Sequence, residues 1–129
     1  MALVFLSLDE FIEIHREMIE RYGGSVGVRD MGLLESAVAM AEAGFGDQYL
    51  HSDLFEMAAA YLFHIARNHP FIDGNKRTGA IAAFVFLKLN QVTLNASDRE
   101  FERIVRTVAE GKTGKAAVAE FLRRNNQKA

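Results

Sequence analysis

The segment HPFIDGNKRTGAIAAFVFLKL, residues 69–89, decides the fold because a polar loop leads directly into a long apolar stretch. Residues 79–87 are apolar on every side, which is typical of a helix at the centre of a bundle. A continuous apolar strand is the alternative, but the alanines and a length beyond about ten residues favour a helix. We therefore expect a central helix over about residues 76–89, preceded by the HPFIDGNKR loop.

Helix signals also lie N-terminal to this segment. Ser7 and Glu10 are spaced as a capping box, and apolar residues then recur at helical spacing as far as Tyr22, where two glycines end the segment. Asp30 is a candidate N-cap for a second helix over residues 31–42. The Gly-rich sequence that follows predicts a loop.

The helix before the motif has a clear beginning and a clear end. Ser52 or Asp53 is the candidate N-cap of a helix from about Leu54 to Arg67. This helix must stop before Pro70, since the residue preceding a proline is disfavoured in the α-helical region.

Two further helices are predicted after the central one. Residues 98–109 and residues 115–124 carry helical patterns, with Thr113 as the candidate N-cap of the last helix. Residues 91–97 predict a connection with a short extended piece. The fold class is therefore all-α, with about six helices around the central helix in a single domain spanning residues 1–129.

Composition limits the classes of function. Half of the 129 residues are hydrophobic, the formal net charge is −2, and there is no cysteine. The sequence therefore predicts a soluble protein without disulfides or zinc–thiolate sites, and it carries no basic block for nucleic acid or anionic membranes. No apolar run approaches the length of about 18 residues that spans a bilayer, so we expect a cytoplasmic protein without nucleic-acid or membrane partners.

The start of the central helix has the chemistry of an anion site. Helix N-termini present unpaired N–H groups and a partial positive charge, which bind phosphates. Lys76 and Arg77 have the wrong sign to stabilise such a terminus, which indicates selection for an anion. Gly74 allows close approach of the backbone, and Asn75 is suited either to cap the helix or to donate to phosphate oxygens.

Two more side chains complete a transfer site. Asp73 is suited to hold the Mg²⁺ that accompanies a polyphosphate, and neutral His69 is suited to accept a proton from a hydroxyl group. Each residue has an ordinary alternative as well, since Asp-Gly-Asn is common in turns and cations are common on solvated faces. The density of such residues in one loop favours transfer from a nucleotide to a hydroxyl group.

The string His69-Pro70-Phe71-Ile72-Asp73-Gly74-Asn75-Lys76-Arg77 resembles the signature of the Fic/Doc family. The resemblance extends along the chain through RYGG, VRDMGLLESAV, DLFEMAA and FVFLKLN, which are similar to the death-on-curing (Doc) branch. It implies an all-α Fic fold and a catalytic group comprising His69, Asn75 and Arg77. It further implies phosphate binding by Gly74, Asn75, Lys76 and Arg77, a Mg²⁺ ligand in Asp73, and Phe71 as the anchor of the loop.

Three positions bear on the transferred group. Typical nucleotidyl-transferring Fic proteins have glycine at the position of Lys76 and a second arginine at the position of Ala80, so both departures point to a Doc-like toxin. This implies transfer of the γ-phosphoryl group of ATP to a protein hydroxyl, as in the family example that phosphorylates elongation factor Tu. Gly74 instead matches the adenylyl-transferring pattern, and a non-catalytic domain that binds a nucleotide or a partner is the third alternative.

Regulation in trans is also implied by the resemblance. Many Fic proteins carry an inhibitory [ST]-x-x-x-E-[GN] segment, but the position four before Glu110-Gly111 is occupied by Arg106. The segment is therefore missing together with the second arginine that it would pair with. This combination implies a toxin restrained by a separate antitoxin protein.

Overall fold

The computed structural model describes residues 3–127. Six helices account for most of these residues: α1 Leu8–Tyr22, α2 Met31–Met40, α3 Leu54–Asn68, α4 Asn75–Leu89, α5 Asp98–Ala109 and α6 Lys115–Arg124. Four two-residue strands form two antiparallel pairs: β1 Gly44–Phe45 with β2 Gln48–Tyr49, and β3 Thr93–Leu94 with β4 Asn126–Gln127. The predicted all-α fold is confirmed.

Side-chain caps begin the first three helices where the sequence places them. Glu10 N donates to Ser7 Oγ at 3.1 Å, while Ser7 N donates to Glu10 Oε1 at 2.8 Å, which completes the predicted capping box of α1. Asp30 caps α2. Of the two candidates before α3, Asp53 is the N-cap.

The core lies between α3 and α4, which pack against each other, and α3 also contacts α2, α5 and α6. The predicted central helix therefore shares the centre with α3, in which every residue from Met57 to Leu62 is buried. Small residues allow this close packing. A Cβ atom at Gly79 of α4 would lie 3.1 Å from the Leu62 carbonyl oxygen of α3.

Several local expectations differ from the structure. α2 ends at Met40 rather than residue 42, and the predicted loop that follows contains the β1–β2 hairpin. The N-cap of α6 is Gly114 instead of Thr113, because the Thr113 hydroxyl donates to the Thr107 hydroxyl at 2.8 Å. Across residues 3–127, none of the helices combines the length and apolar character needed to cross a bilayer.

Candidate active site

His69 occupies an unusual backbone position at the end of α3. Its φ of 52° and ψ of 57° lie in the left-handed region, and the side chain is exposed. A residue with a side chain adopts this conformation at a cost of order 1–3 kcal/mol, and such strain is concentrated at functional sites. The helix thus ends before Pro70 as predicted, and the turn presents the imidazole to solvent.

Arg29, from the segment before α2, holds this strained turn in place. Its Nε donates to the His69 carbonyl oxygen at 2.7 Å, and a terminal nitrogen donates to the Asn68 carbonyl oxygen at 2.8 Å. These carbonyls belong to the last turn of α3, where helical partners are missing. The backbone N–H groups of Arg29 and Asp30 both donate to the Pro70 carbonyl oxygen as well, at 2.7 and 3.0 Å.

Phe71 anchors the middle of the motif loop. Only 1% of its surface is exposed, and it forms an isolated antiparallel bridge with Val28. Asn75 Oδ1 accepts from Phe71 N at 2.9 Å, while Asn75 Nδ2 donates to the Phe71 carbonyl oxygen at 3.0 Å. The Asn75 side chain therefore closes the loop, and the N-cap of α4 is Gly74 with φ 75°.

His15 supports the same loop from α1. Its ring stacks on Phe71 with centroids 3.9 Å apart and an interplanar angle of 5°. His15 Nε2 lies 2.8 Å from the Asp73 carbonyl oxygen, and because a carbonyl only accepts, Nε2 is the donor. This contact from the buried His15 holds the backbone that carries the Asp73 carboxylate.

Asp73 has an exposed carboxylate that is oriented by hydrogen bonds from two backbone amides. Oδ1 accepts from Gly74 N at 3.0 Å, and Oδ2 accepts from Ser25 N at 3.3 Å. Gly24 leaves room for this carboxylate, because a Cβ atom there would lie 2.8 Å from Asp73 Oδ2. Within residues 3–127, no group of three or more His, Asp or Glu residues forms a metal site. Asp73 is therefore suited to bind a cation only together with ligand oxygens, as Mg²⁺ does with polyphosphates.

The first turn of α4 presents two exposed cations, Lys76 and Arg77. The Arg77 guanidinium lies over the exposed ring of Tyr22, 4.4 Å from the ring centroid. In the described part of the chain, neither cation forms an ion pair with a carboxylate. Uncompensated cations at a helix N-terminus favour binding of an anion.

The residues predicted from the sequence thus occupy one continuous segment that runs from the end of α3 into the first turn of α4. His69, Asp73, Lys76 and Arg77 are exposed, whereas Phe71 and Asn75 are buried beneath them. The supporting roles of Arg29, His15 and Tyr22, which reach the loop from elsewhere in the chain, were not predicted from the sequence. For His15, the available signal was a titratable residue on the apolar face of α1.

A Fic/DOC family model matches residues 5–87, which include this turn and the helices that carry it. The chain belongs to the Fic/DOC family. Among curated proteins, this Fic/DOC chain is 37% identical to "Protein kinase doc" of Escherichia phage P1 over 119 residues, or 92% of the chain and 93% of the relative. It is 45% identical to "Toxin Doc" of Mycolicibacterium smegmatis over 82 residues, or 64% of the chain and 62% of the relative.

These relatives confirm the resemblance to the Doc-like toxin branch of the Fic/DOC family. The predicted roles of individual motif residues remain predictions, as do the single-domain boundaries and the cytoplasmic location.

Proposed function

We propose that this protein is a Doc-like toxin that transfers the γ-phosphoryl group of ATP to a side-chain hydroxyl of a target protein. The observation that carries the proposal is the exposed His69 in the loop that leads into the start of α4, where Lys76 and Arg77 form no ion pair with a carboxylate of residues 3–127. The name of one relative, a protein kinase, supports phosphoryl transfer, and the name of the other, a toxin, supports the toxin role. Elongation factor Tu is the proposed target, and its modification would block translation.

The start of α4 is the proposed phosphate-binding element. The N–H groups of the first turn have no helical acceptors, and they point toward the space before the helix. Lys76 and Arg77 add positive charge there, and the backbone of Gly74, which adopts a φ of 75° that favours glycine, is the further proposed contact of the phosphate. Because the side chain of Asn75 is bonded to Phe71, its backbone N–H is the group available to phosphate oxygens.

His69 is the proposed general base. Its imidazole takes the proton of the target hydroxyl as the hydroxyl oxygen forms a bond to the γ-phosphorus. The bond between the γ-phosphorus and the bridging oxygen breaks, and ADP leaves. General bases of this kind contribute about 10²- to 10⁴-fold in rate. Lys76 and Arg77 neutralise negative charge on the phosphoryl oxygens during transfer.

The residues present fit a Mg²⁺ ion bound with the nucleotide. Asp73 would hold it through one carboxylate, with phosphate oxygens as further ligands. When bound, Mg²⁺ supplies charge neutralisation on the phosphates. The amides of Gly74 and Ser25 orient the Asp73 carboxylate for that contact.

Isotope position distinguishes phosphoryl transfer from adenylyl transfer. The protein is incubated with Mg²⁺, purified elongation factor Tu and either γ-labelled or α-labelled ATP. We expect label on the target from γ-labelled ATP only, and none with His69→Ala. Transfer of α-label would establish the adenylyl alternative that Gly74 favours. If neither label is transferred to this target or to proteins of a bacterial extract, the non-catalytic alternative is favoured.

The Lys76→Gly variant tests whether Lys76 favours transfer of the phosphoryl group over the adenylyl group. Lys76→Gly removes a phosphate-facing cation, so we expect at least about a tenfold loss of γ-phosphoryl transfer. Lys88→Ala, an exposed lysine at the other end of α4, is the matched control and should keep full activity. An unchanged rate in Lys76→Gly would show that Lys76 does not discriminate.

An antitoxin acting in trans is the proposed regulator. The absence of the inhibitory [ST]-x-x-x-E-[GN] segment from the sequence supports it. A neighbouring-gene product that co-purifies with the protein and suppresses its transferase activity would support this partner. Easy production of the active chain alone in growing cells would count against it.

A further inference from the structure

A second cluster of titratable side chains joins α6 to α3 and to the loop before α3. Lys115 Nζ lies 3.3 Å from His51 Nε2 and 3.2 Å from His64 Nε2. An ammonium group only donates hydrogen bonds, so Nε2 of each ring is an acceptor and each neutral ring carries its proton on Nδ1. The charge of Lys115 is thus held between two neutral imidazoles.

The nearby carboxylates are directed to a different cation. Arg123 pairs with Asp53 at 2.8 Å and with Glu120 at 2.7 Å, and it lies 4.0 Å from Glu56. Within residues 3–127, no carboxylate lies within ion-pair distance of Lys115. The half-buried ammonium of Lys115 therefore lacks a counter-ion there.

A cavity of about 450 Å³ lies beside this ammonium. Lys115 and the neutral ring of His51 line one side of it, and Ala116 and Ala119 form an apolar wall. Glu56 and Glu120 also line the cavity, but their carboxylates lie against Arg123, which lines it as well. Ala116 is exposed, so the cavity is accessible from solvent. An ammonium has three N–H donors, and two are directed to the imidazoles. Among the described residues, no acceptor contacts the third donor. The volume is in the range of small-molecule sites.

We propose that this cavity binds the oxyanion group of a small molecule, a carboxylate or a phosphoryl group, through Lys115 with His51 and His64 beside it. The anion supplies the counter-charge that residues 3–127 do not, and the rest of the molecule occupies the cavity along α6. This site is separate from the motif loop and does not depend on the proposed transfer activity.

Protonation of the cluster is linked to binding. Burial lowers the pKa of Lys115. Burial is also the larger cause, and the charge of Lys115 the second, of the lowered pKa values of His51 and His64, and the pKa of His64 is lowered to about 4. Glu56 acts in the opposite direction on His51. An anion at Lys115 raises all three pKa values, so binding takes up protons and strengthens as the pH falls.

Sulfate is the probe of choice, because its charge does not change between pH 6.5 and about 4, the range over which the pKa of His64 is lowered. The imidazole resonances of His51 and His64 are followed by NMR during sulfate titration at constant ionic strength. We expect saturable shifts with tighter binding at lower pH, and at least about tenfold weaker binding in Lys115→Met. Lys112→Met, in the turn before α6, should bind sulfate like the wild type.

Two further variants separate charge from structure. Lys115→Arg keeps the cation and should retain saturable shifts, while Lys115→Gln keeps a polar side chain and should lose them. Parallel titrations with acetate and inorganic phosphate tell which oxyanion is preferred. The proposal is overturned if shifts grow linearly without saturation for all three anions, or if folded Lys115→Met or Lys115→Gln binds as tightly as the wild type.

Discussion

At the residue scale, Arg29 supports the proposed base through backbone carbonyls, since its side chain donates to those of His69 and Asn68. Arg29→Ala removes two charge-assisted hydrogen bonds to the end of α3. Because Arg29 is exposed, we expect a loss of about 1–2 kcal/mol in the free energy of unfolding, measured by urea denaturation. We also expect about a tenfold lower kcat with little change in KM for ATP, since a misplaced base slows the chemical step.

Arg29→Lys is the conservative variant for this prediction and should recover part of the lost kcat. Arg99→Ala, which removes an exposed arginine from the start of α5, should change neither quantity. Equal losses of kcat in Arg29→Ala and Arg99→Ala would show that Arg29 does not position His69.

Two neighbouring glycines allow Asp73 to be tested without replacing it. Gly23 and Gly24 both have positive φ, 86° and 118°, so alanine strains the backbone at either position. Only at Gly24 would the new Cβ atom meet Asp73 Oδ2, at 2.8 Å, whereas at Gly23 nothing lies within 4 Å. We expect Gly24→Ala to require about tenfold more Mg²⁺ for half-maximal activity, because the carboxylate is displaced. Gly23→Ala should lower the stability without changing the Mg²⁺ requirement. A similar Mg²⁺ requirement in both variants would contradict the role of Asp73 in binding Mg²⁺.

At the scale of elements, the contact between α3 and α6 should make stability depend on pH. Burial, then Lys115 and His51, lower the pKa of His64 from 6.5 to about 4 in the folded chain. As the pH falls, His64 therefore binds a proton in the unfolded chain before it does so in the folded chain. The contribution of neutral His64 to the free energy of unfolding is complete above pH 6.5 and is lost as the pH falls toward about 4. After allowance for solvent screening at a half-buried site, the loss is about 1–2 kcal/mol.

Thermal unfolding between those pH values checks this prediction. The melting temperature of the wild type should fall more steeply with decreasing pH than that of His64→Gln, which has no imidazole to protonate at this position. Parallel curves for the two proteins would mean that His64 does not couple α3 to α6 electrostatically.

At the scale of the whole molecule, the sequence predicted the features that depend on residues close together in the chain, namely the helix starts and the motif loop. Ser7, Asp30 and Asp53 marked the starts of three helices, because an N-cap bonds to amides only two or three residues away. The motif loop was identified for the same reason, since its polar residues are contiguous. Residues 98–109 and 115–124 have the bounds that their patterns predict.

Contacts between distant segments could not be predicted in this way. Arg29 and His15 reach the motif across 40 and 58 positions, and no local pattern specifies such pairs. The inward direction of the Asn75 side chain depends on the fold of the whole loop, so its sequence permitted a capping or a phosphate-binding role equally well. The central position of α3 was also not predicted, because it depends on the close approach of α4, which no local pattern in α3 specifies.

We propose that the motif loop transfers a phosphoryl group from ATP with His69 as the base. The most direct test is the mass spectrum of elongation factor Tu after incubation with the protein, Mg²⁺ and ATP. We expect an added phosphoryl group on a serine, threonine or tyrosine, and no addition with His69→Ala. An added adenylyl group, or an addition of either kind that persists at full rate in His69→Ala, would contradict it.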